Sequence, residues 1–258
     1  MSSARRILAI VEHELRLARR DPTPLMVLIV FPVITIAFLK PALQPALVQA
    51  GYRNATGAEQ VVPGQAVMSA FFLVSLVTFA FFAEHGWGTW DRLRASPATS
   101  IEIVVGKSVP RVAIGIAEFA LVLGVGVVLF GLSMQGDALA LVPLVVAFCV
   151  CLVLLGVAAT ALSRTAQQAN AFAFTGMVLF GAIGGAFVPF NVLPGWAQTI
   201  APATPTYWAM RGMRSVVLDG QGLGGVIRPT GMLAGMALLF AAIAVWRFRF
   251  DDVKAGFF

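Results

Sequence analysis

The sequence predicts an all-α membrane protein with six transmembrane helices. An N-terminal amphipathic helix lies in the interface before the first span, a polar segment outside the lipid follows the second, and two short outer helices precede the sixth. Three observations lead there. Uncharged apolar runs reach membrane-spanning length several times, in a chain that is 59% hydrophobic with a mean hydropathy of +0.88, and a soluble domain could not hide that much apolar surface. Lysines and arginines fall mostly on one side of the resulting topology. The five tryptophans, Trp87, Trp90, Trp196, Trp208 and Trp246, all fall at predicted span ends, where an amphipathic ring prefers to sit.

Residues 1–22 supply the interfacial helix. Ile7, Leu8, Val11, Leu15 and Ala18 follow helical spacing, with Arg5, Glu12, Arg16 and Arg19 on the other side, so the helix should lie in the membrane surface rather than cross it. Glu12 and Arg16 form an i,i+4 pair in the favourable order. The apolar stretch from Ile7 to Val11 is too short for the ~7–15 residues of a signal-peptide core, so no removable signal is expected. Asp21-Pro22-Thr23-Pro24 should break the helix. The first span then runs from about Leu25 to Leu39, kinked at Pro32 and closed by Pro41 and Pro45.

The second span covers Val61 to Ala83 without a charge. Residues 84–107 follow as a polar island with two tryptophans, three acids, two arginines and a lysine, a composition that belongs outside the lipid. The third span, Ser108 to Leu132, contains Arg111 and Glu118. Gln135-Gly136-Asp137 turns the chain into the fourth span, Ala138 to Leu162, and a short polar turn leads to the fifth, Ala169 to Val188. In residues 190–228, Pro194 opens one short helix, and Thr204 caps a second with Pro205 at its first position. Gly220 stops that second helix. The sixth span is Pro229 to Trp246.

With both termini inside, the outer side holds Lys40, Arg53, Arg211, Arg214 and Arg228, and the inner side holds the other 13 of the 18 basic residues. That asymmetry places both termini in the cytoplasm. The net charge of +6 therefore reads as membrane orientation and not as nucleic-acid binding. Cys149 and Cys151 stand two apart in an apolar run, point to different helix faces and cannot bridge each other. Gly106-Lys107-Ser108 imitates the end of a phosphate-binding loop, but the required glycine five residues earlier is Ile101. With only two histidines, no nucleophile–base pair or metal-ligand cluster is offered. No enzyme constellation, cofactor or metal is expected in this chain.

Four candidate features remain. Glu118 falls about halfway across the hydrocarbon, counting ~1.5 Å per residue; it serves either an interhelical hydrogen bond or the substrate path. Arg111 lies two turns toward the cytoplasm on the same face, out of direct reach. Arg211 and Arg214 share a helix face beside Tyr207 and Trp208, and suit either headgroup anchoring or a gate. Gly181-x-x-x-Gly185 and Gly231-x-x-x-Gly235 allow close helix approach, with a contact between two copies as one reading of the first.

This order of elements resembles the permease subunit of type-2 ABC exporters. Two motifs carry the likeness. G-T-W-D-R-L-R-A-S-P from Gly88 to Pro97, followed by Gly106-Lys107, is similar to the G-x-x-D-R-F/L-R-x-x-P…G-K/R of drug-export members such as the daunorubicin-resistance permeases. V-L-P-G-W-A-Q-T-I-A-P-A-T-P-T-Y-W-A-M-R-G-M-R from Val192 to Arg214 is similar to the family's stretch that leads through P-x-W and P-x-x-Y to an arginine. Arg211 departs from the acidic or neutral residue common there.

The resemblance implies a single permease domain over residues 1–258, working as a homodimer with two copies of a separate ATPase that holds Mg-ATP. It implies a bacterial plasma membrane location and export of an amphipathic drug, antibiotic or lipid-like substrate by alternating access. On this reading Trp87, Gly88, Trp90, Asp91, Arg92, Leu93, Arg94 and Pro97 form the ATPase-coupling helix. Trp87, Trp90 and Arg94 share one face that enters a groove of the ATPase, unless Trp87 belongs to the aromatic belt. Glu118, Tyr207, Arg211 and Arg214 line the path or its gate. The same architecture would serve a glycan, haem or lipid exporter. A self-sufficient secondary transporter would instead need coupling-ion sites and inverted repeats, which are not evident.

Overall fold

A computed structural model describes residues 2–20, 23–86, 88–89, 92 and 95–247, and the regular structure among them is helical throughout. α1 (Ser3–Arg20) lies along α5 (Ser100–Phe130), and α2 (Thr23–Gln49) packs on α3 (Ala58–Ser69). α4 (Phe72–Gly86), α5 and α10 (Leu223–Arg247) surround α6 (Leu141–Leu162), the central helix. α7 (Ala166–Ile183) closes the side formed by α4, and α8 (Gly195–Ile200) and α9 (Pro205–Val217) cap one end. Five helical stretches are long and apolar enough to cross a membrane. Their outward residues, such as Phe38, Val128 and Leu238, are apolar and exposed, as lipid-facing side chains must be.

Aromatic rings hold the centre. Phe71 and Phe119 each meet Phe148 edge-on, with centroids 6.3 and 6.0 Å apart, a geometry that adds to the burial of these large side chains. Cys149 and Cys151 are buried and free.

Several boundaries differ from the sequence expectation. α2 continues to Gln49 with Pro32, Pro41 and Pro45 all inside it; a membrane helix tolerates proline because neighbouring helices and local backbone adjustments re-satisfy the groups it frees. The expected second span is broken at Ala70–Phe71 into α3 and α4. There the Ser69 hydroxyl turns back onto its own helix, 2.8 Å from the Gln65 carbonyl and 3.3 Å from that of Ala66, and the amides of Phe71, Leu73 and Val74 bond three residues back instead of four. Back-bonding of this kind bends helices.

α5 begins at Ser100, well before the expected Ser108, behind a capping box in which Thr99 and Glu102 satisfy each other's amides. Its 31 residues reach about 46 Å at 1.5 Å per residue, so its first turns rise clear of a ~30 Å hydrocarbon layer. Gly106 and Lys107 are therefore helical and not part of a loop. α7 is shorter and more polar than the fifth span expected at Ala169–Val188, ending at Ile183, and it is not among the five stretches of spanning length and composition. α10 begins at Leu223, which leaves Pro229 inside the helix. Trp208, expected at the interface, is buried, and its indole nitrogen donates to the Pro202 carbonyl at 2.8 Å.

The turn chemistry of the capping segment follows the sequence. Pro194 precedes α8, the Thr204 hydroxyl accepts from the Tyr207 amide, and Gly220 takes φ 67° just past α9. The Asp21-Pro22 break lies outside the described residues.

Candidate functional site

The α1 end of the bundle is fastened by a buried network of charges. Gly106 makes it possible, since a Cβ there would stand 2.8 Å from the Ile10 side chain, and its absence lets α1 lie directly on α5. One residue on, the Lys107 ammonium, only 3% exposed, donates to Glu14 Oε1 at 2.7 Å, to Glu84 Oε1 at 2.7 Å and to the Ala80 carbonyl at 3.1 Å. Its three protons meet three acceptors. One turn along α5, Arg111 reaches Glu14 Oε2 at 2.6 Å and the Lys107 carbonyl at 2.9 Å. Each oxygen of Glu14 thus has its own cation. Burial opposes the charge of Glu14, but Arg111 and Lys107 outweigh it and hold its carboxyl below the usual carboxylate range.

A second clasp secures the start of α1. Arg6 grips Glu102 through two nitrogens at 2.7 and 2.9 Å, and the Ser3 hydroxyl donates to the same carboxylate. By contrast Arg16 and Glu12, 2.5 Å apart, are exposed on the far face and contribute only tenths of a kcal/mol. Glu84 ties the network to the polar island, because the Thr89 hydroxyl and amide both donate to it, the amide to its carbonyl at 3.0 Å. α1, α4, α5 and the start of residues 84–107 are joined through Lys107.

At the opposite end, α9 and α10 border a cavity of about 580 Å³. Arg214 donates to the Tyr52 hydroxyl at 3.1 and 3.2 Å and to Asn191 at 3.4 Å, and Tyr52 in turn donates to Asp219 at 2.6 Å. Burial, with Asp219 accepting its proton, raises the Tyr52 phenol above its ordinary value. Arg211 donates to the Tyr207 hydroxyl at 3.2 Å, and Arg211 and Arg228 both stand over the Trp208 ring, at 5.6 and 5.9 Å from its centroid. Nearby, Lys40 donates to the Phe130 carbonyl at 2.7 Å, placing a cation at the negative end of α5.

Between the two ends, Glu118 is 6% exposed and accepts from the Ser69 hydroxyl at the α3–α4 break. Its second oxygen has no hydrogen-bond partner among the described residues. No cluster able to hold a metal occurs among the described residues.

A family model described as ABC-2 type transporter matches residues 5–218, most of the chain, from the Lys107 network to α9. The chain belongs to the ABC-2 type transporter family. Its curated relatives include the linearmycin resistance permease protein LnrN of Bacillus subtilis, 30% identical over 156 residues, which are 60% of this chain and 40% of that protein. They also include the probable multidrug ABC transporter permease YbhR of Escherichia coli, 29% identical over 146 residues, 56% of this chain and 40% of that protein. The matched region thus spans about two-fifths of the length of these relatives.

Within this ABC-2 chain, the predicted site residues fall into separate groups. Of the coupling stretch, Gly88 is exposed at φ 67°, Arg92 is helical and exposed, and Pro97 sits in an exposed bend before α5. Trp87, Trp90, Asp91, Leu93 and Arg94 lie outside the described residues. Tyr207, Arg211 and Arg214 come together at the α9 cavity. Glu118 stands apart from both ends. Gly181, read as a contact between copies, is instead filled within the chain, since a Cβ there would strike the Met68 sulfur at 2.1 Å. Sequence reasoning missed Glu14, whose partner Lys107 is 93 positions away. The signal available was an acid interrupting the apolar face of α1, whose other acid, Glu12, lies on the polar face with Arg16.

Proposed function

We propose that this chain is the membrane permease of an ATP-driven exporter that moves an amphipathic drug, antibiotic or lipid-like substrate out of the cytoplasm or inner leaflet. The reading takes the α1 end as cytoplasmic, in a bacterial plasma membrane. A separate ATPase, present in two copies and holding Mg-ATP, docks on residues 84–107 of two permease copies.

The observation that carries this reading is the Lys107 network. A membrane channel or scaffold has no evident use for two buried and two half-buried charges binding a surface helix, a span and a polar loop into one body. A permease driven from outside the lipid has one. ATP-dependent closure of the ATPases displaces the segment that carries Arg92. Glu84 and Thr89 pass that displacement to Lys107, and Glu14 and Arg111 make α1 and α5 follow together. α5 is long enough to carry the movement to its far end at Phe130, where Lys40 fastens it to α2. Glu118 faces the path at the α3–α4 break, and Tyr207, Arg211 and Arg214 form its outer gate. Membership of the ABC-2 family and the names of the two relatives support the drug-export branch.

The test is copurification of the chain with the ATPase encoded beside it, followed by vanadate-sensitive hydrolysis in lipid across a panel of amphipathic compounds. Stimulation by drugs or antibiotics is the expected result. A complex that ignores them and responds to a lipid-linked glycan would overturn the substrate assignment.

A further inference from the structure

The α9 cavity carries more positive charge than its own acids answer. Arg211, Arg214 and Arg228 line it, with Asp219 as the one acid among its lining residues. Asp219 is occupied through Tyr52, and Tyr52 and Asn191 take up Arg214. Arg211 and Arg228 differ. Arg211 bonds only the neutral Tyr207 hydroxyl, Arg228 meets only the Trp208 ring, and among the described residues neither forms an ion pair.

Two guanidinium groups around one indole repel each other and leave most of their donors unused. Such an arrangement becomes favourable when an oxyanion accepts from both, because a guanidinium fork matches two phosphate oxygens. The Trp208 nitrogen is already bound to the Pro202 carbonyl, so the ring is fixed and holds both arginines at the cavity edge by its π-face. The same turns of α10 carry exposed apolar side chains beside Arg228. Leu223 and Ile227 are exposed one turn apart, adjacent in sequence to Gly224 and Arg228 of the cavity wall. Charge inside and exposed apolar surface at the rim match a molecule with an anionic head and an apolar tail.

We infer that the α9 cavity is a binding site for the oxyanionic, phosphate-type headgroup of an amphiphile, held between Arg211 and Arg228. It rests on the proposed placing of this cavity at the outer end of the path, and it adds the ligand chemistry that the gate accepts. It also predicts that anionic substrates, or anionic lipids of the outer leaflet, engage the permease before or at release.

The experiment is a binding titration on the purified full-length chain in neutral detergent, with no ATPase present. The probes are phosphatidylglycerol, phosphatidylcholine with the same acyl chains, and inorganic phosphate. They are titrated against the wild type, Arg211→Gln/Arg228→Gln, each single variant, and Arg53→Gln as a charge control outside this cavity. Phosphatidylglycerol should bind saturably and phosphatidylcholine much more weakly. The double variant should weaken phosphatidylglycerol binding by about tenfold or more, as expected for losing one or two charge-assisted contacts, and Arg53→Gln should leave it unchanged. Saturable binding of inorganic phosphate alone, lost in the double variant, would support the site and make its ligand a soluble anion. Equal phosphatidylglycerol binding by wild type and double variant, or an equal loss in Arg53→Gln, would overturn it. Should the double variant fail to fold, Arg228→Gln decides alone, since that side chain is exposed on α10. Failure here leaves ATP-driven export standing, and absence of an ATPase partner leaves the binding result standing.

Discussion

Replacing Lys107 by methionine keeps most of the side-chain volume and removes the charge at the centre of the network. Glu84 Oε1 and Glu14 Oε1, each 2.7 Å from the ammonium in the wild type, then lose their cation, although Glu14 keeps Arg111 at 2.6 Å. Breaking a buried pair from one side costs about 3–5 kcal/mol, because the remaining charge is buried without compensation. For a chain of this size each kcal/mol moves the unfolding midpoint by about 2–4 °C, so Lys107→Met should lower it by about 6–20 °C. A thiol-reactive dye can follow the transition, since Cys149 and Cys151 are both buried in the folded chain. Adding Glu84→Gln to Lys107→Met removes the orphaned charge and should recover about half of the loss or more. A midpoint change below about 2 °C for Lys107→Met, or no recovery in the double variant, would refute the network as described.

Three further outcomes follow from named contacts. Gly106→Ala should destabilise by about 1–3 kcal/mol through overpacking against Ile10, while Gly124→Ala, where a Cβ meets nothing within 4 Å, should change the midpoint little; equal midpoints for the two would remove the close approach of α1 to α5. Glu118→Gln should preserve folding and assembly, because the amide oxygen still accepts from Ser69, and should lower transport severalfold; unchanged transport retires Glu118 from the path. Trp90→Ala with Arg94→Ala should weaken copurification with the ATPase by tenfold or more, about 1.4 kcal/mol, and intact binding and transport would show that docking lies elsewhere.

How much of this was legible in the sequence depends on the range of the interaction. Thr204-Pro205 and Gly220 are local signals, and the chain starts and stops where they say. The positions of Arg111 and Glu118 inside one long helix were also readable from spacing. Proline was misleading in α2, where Pro41 and Pro45 sit inside the helix; their usual role as terminators assumes water as the competing partner. The start of α5 was written in Thr99-Ser100-Ile101-Glu102, a capping-box pattern masked by the polar composition around it. The break at Ala70–Phe71 left only Ser69 as a trace in an apolar run. The pairing of Glu14 with Lys107 and Arg111 could not be read locally, since it requires knowing that α1 folds back along α5. The cavity arginines were visible as Arg211 and Arg214, but Arg228 joins them only because α10 begins before Pro229.

The central claim is that movement of substrate through this chain is driven by an ATPase bound at residues 84–107. The direct measurement is uptake of a labelled amphipathic antibiotic into inside-out proteoliposomes containing the chain with its ATPase, and containing the chain alone. Uptake that needs both ATP and the ATPase, is stopped by vanadate, and falls in Lys107→Met reconstituted below its lowered midpoint is the predicted result. Uptake by the chain alone under a proton or sodium gradient, with ATP irrelevant, would contradict the account.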